Sequence, residues 1–147
     1  MIHRYRGGKL AKVEAGDGVA DVIQDALREC RAAVDRYEIE AAIEAAWSII
    51  RRANRLVEER APWNLAKDPA RADDLDRLLG TLAVALQHTA ILLFPVMPSK
   101  AAHVWETLRL TPALTEARFP ADGALLPPPP VGVQLGESKP LFPRIER

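Results

Sequence analysis

Three features of the sequence predict an all-α fold, an antiparallel helix bundle with an extended proline-rich C-terminal tail. Proline is absent before Pro62, and eight of the twelve prolines lie between Pro112 and Pro143. A proline inside a helix removes a hydrogen bond and clashes with the preceding turn, so long helices fit the first two thirds of the chain and not the last quarter. Apolar residues recur at steps of three and four through the proline-free windows. Aromatic residues make up only 5% of the chain, which suits a core of Leu, Ile, Val and Ala. A length of 147 residues points to one domain. The bundle is expected over 1–110 and the extended segment, packed on it, over 111–147.

The elements follow in order. Residues 6–17 carry three glycines and two lysines and read as a loop. A first long helix spans about Asp17 to Tyr37, with Val19, Val22, Ile23, Ala26, Leu27, Cys30, Val34 and Tyr37 forming one stripe. Asp17 is placed to act as its N-cap. A second runs from about Glu38 to Arg60, with Ile39, Ile43, Ala46, Trp47, Ile50, Asn54 and Val57 on its stripe. Early Glu38, Glu40 and Glu44 and late Arg51, Arg52 and Arg55 suit the helix dipole, and Pro62 ends the segment. A third helix, about Asp73 to Phe94, is apolar nearly all round and so belongs at the centre of a bundle. A short fourth, about Pro98 to Leu108, turns Val104, Trp105 and Leu108 inward. In the tail, Pro127 to Pro130 fits polyproline II, and a short strand fits Val131 to Leu135.

Composition excludes several functions. One cysteine builds no disulfide framework. The longest apolar run, Ala90 to Val96, is far shorter than the roughly 18 residues of a membrane span. The opening MIHRYRGGKL has no apolar core of a secretory signal. Twenty basic and twenty acidic side chains balance, so any nucleic-acid contact needs a local patch. A cytoplasmic protein with no membrane or DNA partner is expected.

Catalytic signals are missing. There is no glycine-rich phosphate loop, and His3, His88, His103 and Cys30 have no metal-ligand spacing. Cys30 reads as a buried small hydrophobe, and His88 and His103 as core-edge or surface residues. Asp73, Asp74 and Asp76 open a helix, where the dipole favours acids.

Two features resist a purely structural reading. Asn54 stands on an apolar stripe, and a buried amide must find partners or cost about 1–3 kcal/mol. Bonding to neighbouring backbone and positioning the following turn both fit it. In RRANRLVEERAPWNLAK, spanning Arg51 to Lys67, a tryptophan follows a proline at a helix end among several cations. Trp63 there is either a core plug or a platform for an unstacked base, since an exposed ring supplies about 1–3 kcal/mol of stacking while cations attract phosphates.

The segment ANRLVEERAPWNLAKD resembles the anticodon-binding domain of bacterial methionyl-tRNA synthetases, whose pattern is Ala-Pro-Trp-x-x-Ala-Lys. MIHRYRGG resembles the end of that family's first anticodon-domain helix. ILLFPVMPSKAAHVWETLRL resembles its Leu-x-Pro-x-Met-Pro junction, and GESKPLFPRIE its closing segment. The resemblance is colinear over essentially the whole chain. It implies the helical bundle shared by class Ia aminoacyl-tRNA synthetases, with the anticodon loop of tRNA(Met) as partner. Trp63 matches the ring that stacks on the first anticodon base, the C of CAU. Pro62 fixes that ring, and Arg4 matches a basic position near the anticodon. Asn54, Arg55 and Lys67 then look like supports.

The departures are equally specific. The family's anticodon-reading Asn and Arg would fall just before Met1. The His-Ile-Gly-His and Lys-Met-Ser-Lys-Ser types of ATP motif do not occur in the chain. The resemblance therefore implies no cofactor on this chain, with ATP and methionine bound by a synthetase catalytic domain as a further partner. An excised domain, a truncated reading frame and a stand-alone descendant all fit, as does a helical interaction bundle without an RNA role.

Overall fold

The computed structural model describes residues 1–120, 123–137 and 139–142. It is all-helical, in the order α1 (Ile2–Arg6), α2 (Val19–Asp35), α3 (Ile39–Arg60), α4 (Pro62–Leu65), a 3-10 turn at Pro69–Arg71, α5 (Ala72–Leu93) and α6 (Pro98–Thr107). The three long helices and α6 stand where the periodicity puts them. The turns at Pro62–Leu65 and Pro69–Arg71 are too short to leave a periodic signal.

Helix α5 is the centre. Sixteen of its 22 residues, from Leu75 to Leu93, are buried, and it meets α2, α3, α4 and α6. Leu75, Leu78, Leu79 and Leu82 are almost wholly removed from solvent. Each such side chain contributes about 1.5–3 kcal/mol. Gly80 lets the 8–18 loop lie directly on α5, since a Cβ there would fall 2.2 Å from the Lys12 carbonyl oxygen.

Helix α2 begins at Val19 with Gly18 as N-cap and no side-chain cap. Asp17 does not cap it. Its backbone is left-handed at φ 54, and its oxygens accept hydrogen bonds from α3. Val19, Ile23, Ala26, Leu27, Cys30 and Ala33 are buried, whereas Val34 and Tyr37, expected on the same stripe, are exposed. Tyr37 lies beyond the helix end with a positive φ, so the helical period no longer aims it.

Helix α3 is rotated from its expected orientation by about one residue. Ala42, Ala45, Ala46, Ile49 and Leu56 are buried. Ile43, Ile50 and Val57 flank the core half-buried. Trp47 and Ile39 are exposed, and so is Asn54. The small alanines let α2 and α5 pack closely on one face, which pushes the bulkier residues to its margin.

The C-terminal segment crosses the bundle in extended form. Among the described residues no strand forms over Val131 to Leu135; Gln134 makes one isolated antiparallel bridge to Lys9. The segment is held instead by single hydrogen bonds. Gly132 N–H donates to Leu10 O at 2.8 Å and Leu135 N–H to Gly8 O at 2.9 Å. Arg31 Nη2 donates to Pro120 O at 3.0 Å, and Gln87 Nε2 to Pro127 O at 2.8 Å. His88 is fully buried rather than at the core edge. Its Nδ1 pairs with Val84 O at 2.8 Å, and its Nε2 accepts from Leu126 N–H at 2.9 Å. Those partners require the tautomer with the proton on Nδ1. The closing motif's last residues, within 143–147, lie outside the described residues.

No described helix is long and apolar enough to cross a membrane.

Candidate nucleic-acid interface

The corner between α3 and α4 is built by three consecutive residues. Ala61 N–H closes α3 on Val57 O at 3.0 Å, and Ala61 itself is left-handed at φ 44. This ends α3 and separates it from α4 by one residue. Pro62 then occupies the first position of α4, where its missing N–H costs nothing and its fixed φ suits a helix. Asn64 N–H donates to Ala61 O at 2.8 Å. Pro62 and Leu65 are buried, and Trp63 between them is 49% exposed. One face of this single turn anchors in the bundle and the opposite face presents an indole to solvent.

The other sequence-predicted residues surround this corner unevenly. Arg55 and Lys67 are exposed and, among the described residues, form no ion pair. Arg55 stands two turns before Trp63 on α3, and Lys67 one turn after it. Exposed Asn54 is not a buried amide in need of partners. It lines a small apolar cavity of about 180 Å³ with Met1, Ile50, Val57, Leu82 and Leu86. Arg4 belongs to α1, with its guanidinium 5.6 Å from the Tyr5 ring centroid. Helix α1 is tied to α5 through Arg6, which pairs with Asp76 and donates to Ala72 O at 2.9 Å. It contacts the tail through His3, whose Nε2 lies 2.8 Å from Gly136 O.

Sequence reasoning missed the ionic lattice at the base of the corner. Arg60 pairs with Asp17, Arg71 with Asp74 at 2.8 Å, and Arg77 with Asp73 at 2.9 Å. Lys12 also pairs with Asp73. Asp73, Asp74 and Asp76 thus pair with cations from α1, the 8–18 loop, the 3-10 turn and α5 itself as well as favouring the helix start. The Lys12 hydrogen bond, above all, holds the Asp73 carboxyl below its usual range. The Asp17 hydrogen bond pushes the Arg60 guanidinium higher still. Of these groups, Asp17, Arg60, Arg71, Asp74 and Arg77 line a cleft of about 310 Å³ together with Leu65, Leu78 and Thr81. Arg71–Asp74 and Arg77–Asp73 are local pairs, but Arg60–Asp17 and Lys12–Asp73 span 43 and 61 residues, which no local spacing reports.

Cys30 is buried, and burial pushes its thiol up. Among the described residues no group of three or more His, Cys, Asp or Glu could hold a metal ion. Trp105 is buried, with its indole N–H donated to Pro112 O at 2.8 Å. Of the three tryptophans, Trp63 is the most exposed and the only one at a chain corner.

A scan against models of known protein families finds no match. The chain is 32% identical over 153 residues to the methionine–tRNA ligase of Bacillus subtilis, covering 99% of this chain and 22% of that protein. It is 30% identical over 158 residues to that of Streptomyces coelicolor, covering 99% of this chain and 29% of the relative. The methionyl-tRNA synthetase of Mycobacterium tuberculosis, in its structure bound by methionyl-adenylate, superposes with a TM-score of 0.79 at 26% identity. That match covers 97% of this chain and 28% of that one. The chain is therefore related to bacterial methionine–tRNA ligases and corresponds to a helical domain of them. It spans less than a third of the length of those relatives.

Proposed function

We propose that this chain is the anticodon-binding part of a methionine–tRNA ligase and recognises the CAU anticodon of tRNA(Met) during aminoacylation in the cytoplasm. The observation that carries the reading is Trp63. Folding gives no reason to hold a half-exposed indole on a turn whose other apolar residues are buried. A ring held that way can take an unstacked base on its free face. Pro62 fixes the ring, with Arg55 and Lys67 as sources of phosphate attraction and Asn54 as a support. Arg4 belongs to a second, separate contact on α1. ATP and methionine would be bound by a catalytic domain acting with this chain, which itself holds no cofactor.

A stem-loop titration tests this. A CAU loop should quench tryptophan fluorescence saturably, a loop with a changed first base should not, and Trp63→Phe should lose the response. Equal response to both loops overturns the reading. A helical interaction bundle is the second reading, favoured by two apolar cavities that Met1 borders, one between α3 and α5 and one between α1, α5 and α6. Sedimentation would then show self-association at concentrations where RNA has no effect.

A further inference from the structure

Helix α4 has four residues, too few to be stable by itself. Pro62 and Leu65 fix how deeply it sits. The direction of the indole depends on the end of α3, which turns through left-handed Ala61 without any side-chain cap. That end is gripped from outside by one residue. Asp17 accepts a hydrogen bond on its carboxylate from Arg60 Nη2 and on its carbonyl from Arg52 Nη2, the latter at 2.8 Å. Arg52 Nη1 reaches on to Glu59 at 3.1 Å. Arg52 and Arg60 are eight residues apart and so share one face of the last two turns. The Asp17 side chain is 28% exposed and its ion-pair partner Arg60 49%, so the charge pair is partly screened, while Arg52 adds a bond to the Asp17 carbonyl that needs no charge. Asp17 is itself left-handed at φ 54, followed by Gly18 at φ 71. A non-glycine residue held there is uncommon, and this one turns its carbonyl and one carboxylate oxygen to α3.

We propose that Asp17 is a positioning residue for Trp63: by bracing Arg52 and Arg60 it sets the last two turns of α3 and hence the corner that aims the indole. The proposal rests on reading Trp63 as the RNA-contacting ring, and its first readout needs no RNA.

The test uses the whole chain labelled with 5-fluorotryptophan, with the three fluorine resonances assigned by Trp47→Phe, Trp63→Phe and Trp105→Phe. Asp17→Asn keeps the left-handed turn, which Asn tolerates, and keeps the carbonyl bond to Arg52 while removing the charge that Arg60 meets. Asp17→Asn and Arg60→Gln should each shift or broaden the Trp63 resonance and leave those of Trp47 and Trp105 in place. Asp17→Glu should restore much of it. Asp17→Asn should also weaken binding of the CAU stem-loop by up to about fivefold, the most that one solvent-accessible ion pair supplies. A Trp63 resonance unchanged by Asp17→Asn overturns the positioning role, as does an equal disturbance of all three resonances. A shifted Trp63 resonance with equal RNA binding by wild type and Trp63→Ala overturns the RNA reading and leaves the positioning role standing.

Discussion

His88 and Trp63 both sit where an element meets another segment, and they break opposite rules. His88 is a polar ring with no exposed surface, held by two hydrogen bonds to backbone. Trp63 is an apolar ring half in solvent, on a turn seated by Pro62 and Leu65. The first exception is accounted for inside the molecule. Both ring nitrogens are satisfied, and the pairing ties the C-terminal segment to α5. The second has no internal account. A buried polar group that is fully paired is explained by folding, and an exposed ring on an anchored turn is not, which is why the proposed function rests on it.

The contrast breaks most directly at His88. His88→Ala would leave a cavity in α5 and orphan the Leu126 N–H, and should lower unfolding stability by about 2–4 kcal/mol in a urea titration. A loss of only a few tenths would mean that the tail does not depend on this residue. Trp63→Ala should behave oppositely. Its unfolding midpoint should stay within about 0.5 kcal/mol of wild type, since little buried surface is lost. Its affinity for a CAU stem-loop should fall by about 1–3 kcal/mol, read by isothermal calorimetry. If Trp63→Ala instead unfolds the protein, the ring is a packing residue and the contrast collapses.

Periodicity made one side of this contrast legible and motif the other. The long helices are visible because each apolar stripe repeats over several turns, and α5 shows its central place by being apolar all round. Trp63 is visible because Ala-Pro-Trp is a short local pattern. What was not legible depends on rotation and on distance. A stripe drawn through Ile43, Ile50 and Asn54 differs by one residue from the face that alanines actually bury, and only packing against α2 and α5 decides between them. Asp17 looks like a cap from its neighbours in sequence, but its partners are 35 and 43 residues away. The role of His88 depends in the same way on Leu126, 38 residues on.

Acid sharpens the contrast from the His88 side. Burial pushes the His88 imidazole below its ordinary value, and the Val84 hydrogen bond opposes this only in part. The neutral ring is the one that fits, because protonated Nε2 would confront the Leu126 N–H donor. A base whose folded pKa is depressed binds fewer protons in the folded state than in the unfolded one. Stability from this residue is therefore fully present above its unfolded value, near 6.5, and falls as pH drops below that, by at most about 1.4 kcal/mol per pH unit. No charged group contributes to the shift, so the loss should be specific to this ring. His88→Gln should flatten the difference in urea midpoint between pH 7 and pH 5 relative to wild type. Parallel curves for the two proteins would show that the imidazole is not the titrating group.

The smallest expected effect tests whether the corner is strained for positioning rather than by accident. Ala61 adopts φ 44 and ψ 67, a left-handed conformation that costs an L-residue with a Cβ roughly 1 kcal/mol. Glycine occupies it without that cost but loses more freedom on folding. Ala61→Gly should therefore change stability little, by about 0.5 kcal/mol in the stabilising direction. The same substitution removes the restriction that holds α4 at one angle. Indole mobility should rise as stability does, read as lower steady-state anisotropy for Trp63 against Trp63→Phe as blank. A corner shaped only for stability would gain from glycine in both respects, with anisotropy unchanged or higher. Opposite movement of the two readouts would mark Ala61 as a residue that keeps a small strain so that the ring beside it stays aimed.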